Sequence, residues 1–158
     1  MELVLFIGPP AAGKSTFYAD RYAQTHLRLS LDMLRTRHRE ALLLQACLAA
    51  KQPVVIDNTC PTRAERARYI VPARARRFRI VGYRFEAPFD ELLRRNATRS
   101  GRACVPEVAI RATLARLEPP GWSEGFDVLF HVRPAADDPC GVTITPVSPE
   151  TTDAIRGT

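Results

Sequence analysis

The feature that most constrains this chain is the segment Gly-Pro-Pro-Ala-Ala-Gly-Lys-Ser at residues 8–15, close to the amino terminus. It matches the phosphate-loop pattern: a glycine, four residues of any type, a second glycine, a lysine, then serine or threonine. The apolar run 3–7 before it predicts a buried strand, and the residues after it predict a helix, which is the context that the pattern requires. The chain is therefore predicted to bind a nucleoside triphosphate.

Each residue type in this loop has a physical role. The glycines allow the backbone to wrap around an anion and to direct its amide groups at it. Lys14 can reach the β and γ phosphates of ATP or GTP, and the hydroxyl of Ser15 can ligate Mg²⁺. The predicted nucleotide-binding residues of the loop are Gly8, Pro9, Pro10, Ala11, Ala12, Gly13, Lys14, Ser15 and Thr16.

Strands and helices are predicted to alternate along the chain, which favours an α/β fold with a mainly parallel sheet. The predicted strands cover residues 3–7, 26–30, 53–57, 78–85 and 126–132. The predicted helices cover 14–24, 31–50, 62–76, 88–99 and a segment that starts at Pro106. The predicted apolar face of the second helix consists of Leu42, Leu43, Leu44, Cys47 and Leu48.

The length of 158 residues allows about one domain, which is predicted to cover 1–133. Residues 134–158 contain four prolines and are predicted to form an irregular tail, although 142–147 alternates in the manner of a short edge strand.

The composition excludes several classes of protein. Hydrophobic residues make up 46% and charged residues 25%, as in globular domains rather than disordered chains. No stretch reaches the ~20 apolar residues that span a bilayer, and the amino terminus lacks the basic leader of a signal peptide. The four cysteines show neither a zinc-binding nor a disulfide pattern. A cytoplasmic protein with reduced thiols and no membrane association is expected.

Arginine supplies nearly all of the positive charge. The chain has a net charge of +6 and only two lysines, Lys14 and Lys51. Eight arginines and a single acid, Glu65, lie within residues 61–84. This cluster predicts either a solvated helix face, which charge alone favours, or a surface that contacts a phosphate-rich partner.

An acid and an arginine follow the short second strand. Asp32 and Arg35 are three residues apart, so in the predicted helix they would project from the same side of its first turn. Ligands of open α/β sheets bind beyond the carboxyl ends of the strands. There Asp32 could accept the proton of an attacking hydroxyl while Arg35 holds an anion. Helix capping with a surface ion pair is the equal alternative.

Two other segments carry candidate site residues. Asp57 ends an apolar strand, where the phosphate loop upstream favours an acid that orients Mg²⁺ over a simple turn. Arg95 and Arg99 are four apart on one predicted helical face, before Gly101. They predict either a lid, over about 94–116, that stabilises the transferred phosphoryl group, or a solvated face, which their spacing alone favours.

Together these residues resemble the kinase domain of polynucleotide 5′-hydroxyl kinases, over a stretch from the phosphate loop to about residue 132. After the loop, the matching positions are Ser30 with Asp32 and Arg35, 56–59, Arg95 and Asn96 with Arg99, 105–106, 116–120 and 124–127. The resemblance implies a P-loop NTPase fold of the nucleotide-kinase type, with three layers, a central mainly parallel sheet and a small helical lid.

The resemblance also implies roles at the donor side of the site. Lys14 and Ser15 would hold the phosphates of ATP or GTP and Mg²⁺, and Asp57 would reach the metal through water. Arg95 and Arg99 would lie over the donor phosphates as catalytic lid arginines.

At the acceptor side, the resemblance implies that Asp32 is the general base on the 5′-hydroxyl of DNA or RNA. Arg35 would bind the phosphate on the 3′ side of the terminal nucleotide. Many members of the family have asparagine at the position of Cys60, so this resemblance gives that residue no role. Relatives are often fused to a phosphatase or ligase domain, and neither is recognised in this sequence. The chain is therefore expected to act alone or with separate repair enzymes.

Two other functions are compatible with the same motifs. A small-molecule kinase that phosphorylates a nucleoside, sugar or antibiotic hydroxyl would use the same loop and base, but it would leave the cluster at 61–84 without a role. A nucleotide-switched binding module with negligible turnover would need only the loop, and the presence of Asp32 beside Arg35 argues against it.

Overall fold

A central sheet forms the middle layer of the computed structural model, which describes residues 1–101, 104–135 and 141–149. The strands are Glu2–Ile7 (β1), Leu27–Leu29 (β2), Val54–Ile56 (β3), Arg79–Phe85 (β4), Val128–Pro134 (β5) and Val142–Pro146 (β6). Their order in the sheet is β2-β3-β1-β4-β5-β6. All neighbouring pairs are parallel except β5 and β6. The predicted α/β fold with a mainly parallel sheet is confirmed.

Helices connect the strands and cover both faces of the sheet. Within the described residues they are Lys14–Arg21 (α1), Leu31–Leu34 (α2), Arg37–Ala49 (α3), Arg63–Ala75 (α4), Phe89–Ala97 (α5) and Glu107–Arg116 (α6). A 3-10 turn, Trp122–Glu124, precedes β5. The three-layer arrangement therefore agrees with the predicted fold.

The central strand β1 is buried on both faces. Leu3, Leu5 and Ile7 point into the core beneath α3 and α4. Val4 and Phe6 point into the core beneath α1, α5 and α6. Because successive side chains of a strand alternate between faces, a strand between two layers of helices must be apolar at every position. This arrangement accounts for the apolar run that precedes the phosphate loop.

The prediction of one helix over residues 31–50 is wrong. Arg35 has a φ of 70°, in the left-handed region, and ends α2. Thr36 then caps α3, since its side chain accepts a hydrogen bond from the backbone N–H of Arg39 at 3.2 Å. A left-handed residue cannot continue a right-handed helix. The spacing predicts that Arg35 and Asp32 project from the same side of one helical turn, and this prediction is consequently wrong.

The predicted apolar face of the second helix is also partly wrong. Leu44, Cys47 and Leu48 are buried, whereas Leu42 and Leu43 are 58% and 42% exposed. Three consecutive leucines span about 200° of a helix with 3.6 residues per turn, which is too wide for one buried face.

The carboxyl-terminal part contains the short edge strand suggested by the alternation of 142–147, here β6. Residues 136–140 and 150–158 of the predicted tail lie outside the described residues, and the domain boundary at 133 stays a prediction. None of the described helices is long and apolar enough to cross a membrane.

Candidate active site

The loop between β1 and α1 is held in a conformation that requires glycine. Gly8 has a φ of 147°, and a Cβ there would lie 2.6 Å from the carbonyl oxygen of Phe85, so β4 leaves no room for a side chain. The N–H of Gly8 donates to the carbonyl of Thr59 at 2.9 Å. Gly13 adopts a φ of 91° at the start of α1. The loop is therefore anchored to the ends of the strands on both sides of β1.

Lys14 is buried at the centre of this loop. Its Nζ donates to the carbonyl oxygens of Gly8 and Pro9 at 3.0 and 2.5 Å. Burial lowers the pKa of Lys14 to about 8, although the charge of Asp57 opposes the shift. An ammonium group with so little water around it gains more from a phosphate anion than an exposed one does. The environment thus suits the phosphate-binding role predicted for Lys14.

Ser15 and Asp57 meet at the mouth of the loop. The hydroxyl of Ser15 donates to Oδ2 of Asp57 at 2.9 Å, and this carboxylate is buried. A hydroxyl and a carboxylate are the hard oxygen ligands that Mg²⁺ prefers, with nucleotide phosphates supplying others. The two side chains therefore fit the magnesium-binding role predicted for them.

Arg28 on β2 joins this pair, which the sequence had not indicated. Its Nε donates to Oδ2 of Asp57 at 2.8 Å, and its Nη2 donates to the hydroxyl of Ser15 at 2.8 Å. The contact depends on the pairing of β2 with β3, which places Arg28 opposite Val55. No local pattern in the sequence reveals such a register.

Asp32 lies on α2 and lines a cleft of about 580 Å³ together with Lys14, Ser15 and Asp57. Its carboxylate is exposed to solvent. The start of α2 is fixed to the end of β3, because the N–H of Leu31 donates to Oδ1 of Asn58 at 2.9 Å. The structure thus brings the predicted base and the phosphate loop onto one cavity.

Six predicted site residues do not line that cavity: Gly8, Pro9, Gly13, Thr16, Arg35 and Arg95. Arg35 and Thr16 are both exposed, and neither lines the cleft. Arg37, two residues beyond Arg35, does line it. The sequence offered no reason to separate Arg37 from the other arginines, because its position depends on the break between α2 and α3.

Each of the two predicted lid arginines lies beside the phosphate loop, and each lines a different cavity. Arg99 lines the cleft that contains Asp32. Arg95 borders the loop, since a Cβ at Gly13 would lie 3.4 Å from its Nη1, and its Nε donates to Oε1 of Glu91 at 2.6 Å. Arg95 also lines a second cavity of about 700 Å³ between α5 and the end of β5.

Asn96 connects the two helices of the predicted lid. Its Nδ2 donates to the carbonyl of Val105 at 2.7 Å, and its Oδ1 accepts from the N–H of Val105 at 2.9 Å. Residues 102 and 103 of the joint lie outside the described residues. The end of α5 is thereby tied to the residue before Pro106, which precedes α6.

The arginine cluster at 61–84 is spread over α4, the turn that follows it and β4. None of its eight arginines is among the described residues that line the cleft. Arg66 is fully buried and forms an ion pair with Glu124. Four exposed members lie where α4 ends and β4 begins, at the end of the parallel strands opposite the phosphate loop: Arg74, Arg76, Arg77 and Arg79. Contact between this cluster and nucleic acid stays a prediction.

A family model described as an AAA domain matches residues 35–120, more than half of the chain. The chain belongs to this family of P-loop kinase domains. It is also 29% identical to a bifunctional polynucleotide phosphatase/kinase of Schizosaccharomyces pombe, over 79% of this chain and 32% of the relative. The P-loop kinase domain thus spans about a third of the length of that curated relative.

Solved structures support the same fold for this P-loop kinase domain. Kti12 of Chaetomium thermophilum in complex with ADP-AlF3 superposes with a TM-score of 0.65 at 19% identity, over 88% of this chain and 92% of that one. A sugar kinase of Janibacter sp. HTCC2649 gives 0.64 at 16% identity, over 83% and 85%. A gluconokinase of Sinorhizobium meliloti 1021 gives 0.59 at 19% identity, over 88% and 85%. These similarities confirm the P-loop NTPase fold.

Proposed function

We propose that this P-loop kinase is a polynucleotide 5′-hydroxyl kinase that transfers the γ-phosphoryl group of ATP or GTP to 5′-OH ends of DNA or RNA. The observation that carries the proposal is the shared cleft of Asp32, Lys14 and Ser15, where a proton acceptor faces the phosphate loop. The identity to a polynucleotide phosphatase/kinase supports the choice of acceptor. A role in nucleic-acid repair is part of this proposal.

In the proposed reaction, the 5′-oxygen of the acceptor forms a bond to the γ-phosphorus. The bond from that phosphorus to the β–γ bridging oxygen breaks, and ADP or GDP leaves. The hydroxyl proton passes to the carboxylate of Asp32, which is exposed and can release it to water. Asp32 therefore needs no second protein group to complete the proton transfer.

The remaining side chains balance negative charge on the phosphates. Lys14 approaches them from the loop, while Arg95 and Arg99 approach from two sides of it. Ser15 and Asp57 would hold Mg²⁺, which when bound neutralises charge on the β and γ phosphates. Groups held ready for charge that develops in the transition state are commonly the largest contribution to catalysis.

The second cavity is the place we assign to the donor nucleoside. It borders Arg95, which also borders the loop, so a nucleotide with its phosphates in the loop can extend into it. Its volume of about 700 Å³ lies within the range of pockets that bind small ligands. Glu86 and Arg133 supply polar groups along its wall.

A small-molecule kinase is the second candidate, and one observation favours it. The cluster at 61–84 does not line the cleft, so the one feature that a small acceptor would leave without a role is not part of the site. The folds of a sugar kinase and a gluconokinase agree with either candidate, since similarity at this level of identity shows the fold alone.

Transfer of labelled phosphate decides between these functions. The wild-type protein is offered γ-labelled ATP with a 5′-OH DNA oligonucleotide, a 5′-OH RNA oligonucleotide, a free nucleoside and gluconate. The proposal expects efficient label transfer to at least one oligonucleotide. Efficient transfer only to a small alcohol would establish the second candidate, and transfer to any acceptor at a high rate would exclude a binding module without turnover.

The role of Asp32 is tested with Asp32→Asn in the same assay. We expect loss of transfer with ATP affinity retained, because the amide cannot accept the proton while the loop stays intact. Asp90→Asn serves as the matched control, since Asp90 is exposed on α5 and does not line the cleft. Lost ATP affinity with unchanged chemistry would contradict the assignment.

A further inference from the structure

We infer that Arg28 is an internal counter-charge of the nucleotide site. Its guanidinium offsets the charge of Asp57, so that ADP binds the phosphate loop almost as tightly without a divalent metal as with one. The inference goes beyond the proposed function, because it concerns the donor side of the site and holds for any acceptor. It makes Arg28 a positioning residue, which acts on the nucleotide through Asp57.

Arg28 contacts both side chains that would hold Mg²⁺. Its Nε and Nη2 donate to Oδ2 of Asp57 at 2.8 and 2.5 Å. Nη2 also donates to the hydroxyl of Ser15 at 2.8 Å, and this hydroxyl donates in turn to Oδ2 of Asp57 at 2.9 Å. The three side chains form a closed group in which one positive charge lies against one negative charge.

The fold holds Arg28 in this position. Its strand β2 is parallel to β3 and places Arg28 opposite Val55. Next to this pair, the N–H of Asp57 donates to the carbonyl of Leu29 at 2.9 Å. The guanidinium also lies 5.5 Å from the centre of the Tyr18 ring, within the range of a cation–π contact. The Arg28 side chain is only 27% exposed, so its charge is fixed beside Asp57.

Asp57 places a negative charge where the nucleotide is expected to bind. Its side chain is 3% exposed, so water screens its charge little. It lines the same cleft as Lys14 and Ser15 of the phosphate loop. A nucleoside diphosphate brings further negative charge to this loop, and like charges repel most strongly where water is excluded. The carboxylate therefore opposes nucleotide binding unless a cation offsets it.

The lysine of the loop does not bond to this carboxylate. Nζ of Lys14 donates to the carbonyl oxygens of Gly8 and Pro9. A bound divalent metal is one cation that can offset the charge of Asp57. Arg28 is another, and it belongs to the chain itself. Because a guanidinium keeps its proton in proteins, Arg28 offsets this charge at every pH at which the protein is folded.

The contacts of Arg28 also limit what a metal adds. A metal on Asp57 and Ser15 takes the oxygens to which Arg28 donates. Arg28 and the metal thus offset the same negative charge, and either one is sufficient. Nucleotide affinity should consequently depend less on metal than it would in a site without Arg28.

The experiment measures the affinity for ADP by calorimetry, once with Mg²⁺ and once with EDTA, and without any acceptor. For the wild-type protein the two dissociation constants should lie within about tenfold of each other. Arg28→Gln should weaken ADP binding in EDTA by about tenfold or more, because the charge of Asp57 is then uncompensated. Its affinity for ADP with Mg²⁺ should stay within about threefold of the wild-type value, which also shows that the variant is folded.

A second substitution separates charge from structure. In Arg28→Gln/Asp57→Asn the carboxylate is gone, so ADP affinity in EDTA should return to about the wild-type value. A role of Arg28 in holding the shape of the loop would not be rescued in this way. Arg39→Gln is the matched control, since Arg39 is exposed on α3 and does not line the cleft. It should behave as the wild type under both conditions.

Three results would overturn the inference. The first is a wild-type protein whose ADP affinity falls by much more than about tenfold in EDTA. The second is unchanged ADP affinity of Arg28→Gln in EDTA. The third is a loss in Arg28→Gln that Asp57→Asn does not restore, which would assign Arg28 to the structure of the loop. None of these measurements involves phosphate transfer, so failure of the proposed function leaves the outcome for Arg28 distinguishable.

Discussion

Arg28 and Asp57 form an ion pair at the mouth of the phosphate loop, with 2.8 Å between Nε and Oδ2. The same guanidinium also donates to the hydroxyl of Ser15. The two oxygens that would hold Mg²⁺ are thus the ones that Arg28 contacts. A cation at this position reduces the affinity of the pair for a second cation, because the two positive charges repel.

Arg28→Gln should therefore bind a divalent metal more tightly than the wild-type protein. For a partly exposed ion pair the effect is about 1 kcal/mol, or about fivefold in affinity. Mn²⁺ titrations followed by electron paramagnetic resonance, with ADP bound, measure it without any need for activity. Arg68→Gln on α4, an exposed residue that does not line the cleft, is the control. Weaker binding by Arg28→Gln would show that Arg28 orients the ligands rather than competing with the metal.

The fold and the placement of Lys14, Ser15 and Asp57 on one cleft could be predicted because their signals are local. The strand, loop and helix around Lys14 are contiguous, and Asp57 directly follows its own strand. Arg28 and Arg37 were missed because their places in the cleft follow from no residue pattern that the sequence displays. One needs the register of β2 with β3, and the other needs the turn at Arg35 that separates α2 from α3.

Arg66 belongs to the arginine cluster by sequence and to the core by structure. Its Nε and Nη2 donate to the two carboxylate oxygens of Glu124 at 2.7 and 2.8 Å. Its Nη1 donates to the carbonyls of Cys60, Pro61 and Glu118 at 3.0–3.1 Å. It therefore joins the loop after β3 to the segment before β5.

Arg66→Ala should lower the free energy of unfolding by about 3–5 kcal/mol, because it leaves the buried carboxylate of Glu124 without its partner. Urea denaturation measures the change. Arg68→Ala on the same helix is exposed and should stay within about 0.5 kcal/mol of the wild type. Equal effects of the two substitutions would mean that the Arg66 ion pair contributes nothing specific.

Gly8 and Gly101 both have positive φ values, but only Gly8 is crowded. Gly8→Ala places its Cβ 2.6 Å from the Phe85 carbonyl oxygen, whereas a Cβ at Gly101 would meet no atom within 4 Å. We expect Gly8→Ala to abolish measurable ATP binding, because the loop must move. Gly101→Ala should cost only about 1 kcal/mol of stability from backbone strain. Thermal unfolding and fluorescent-nucleotide titration measure both effects, and ATP affinity retained in Gly8→Ala would contradict the packing argument.

The thiols should differ sharply in reactivity. Burial, with smaller contributions from Glu40 and Glu65, raises the pKa of Cys60 to about 12. Cys104 is exposed. Because the thiolate is the reactive form, Cys60 should remain unmodified by iodoacetamide at pH 8 while Cys104 is alkylated. Peptide mapping by mass spectrometry distinguishes the two sites. The protection of Cys60 should disappear in urea, where its pKa returns to the ordinary value, and labelling of both sites at equal rates in the native protein would contradict it.

Arg76 and Arg77 lie before β4, at the end of the parallel strands opposite the phosphate loop. The activity of a polynucleotide kinase falls as salt rises, and each backbone phosphate that pairs with a cation steepens this dependence. These two arginines do not line the cleft. The double variant Arg76→Gln/Arg77→Gln should therefore leave the salt dependence of kcat/KM unchanged, both for a dinucleotide and for a 5′-OH oligonucleotide of about 20 nucleotides that begins with the same two nucleotides.

A shallower dependence for the 20-mer alone would instead show that a long acceptor reaches around the domain to this edge. A loss of activity on the dinucleotide would contradict the placement of the acceptor in the cleft of Asp32.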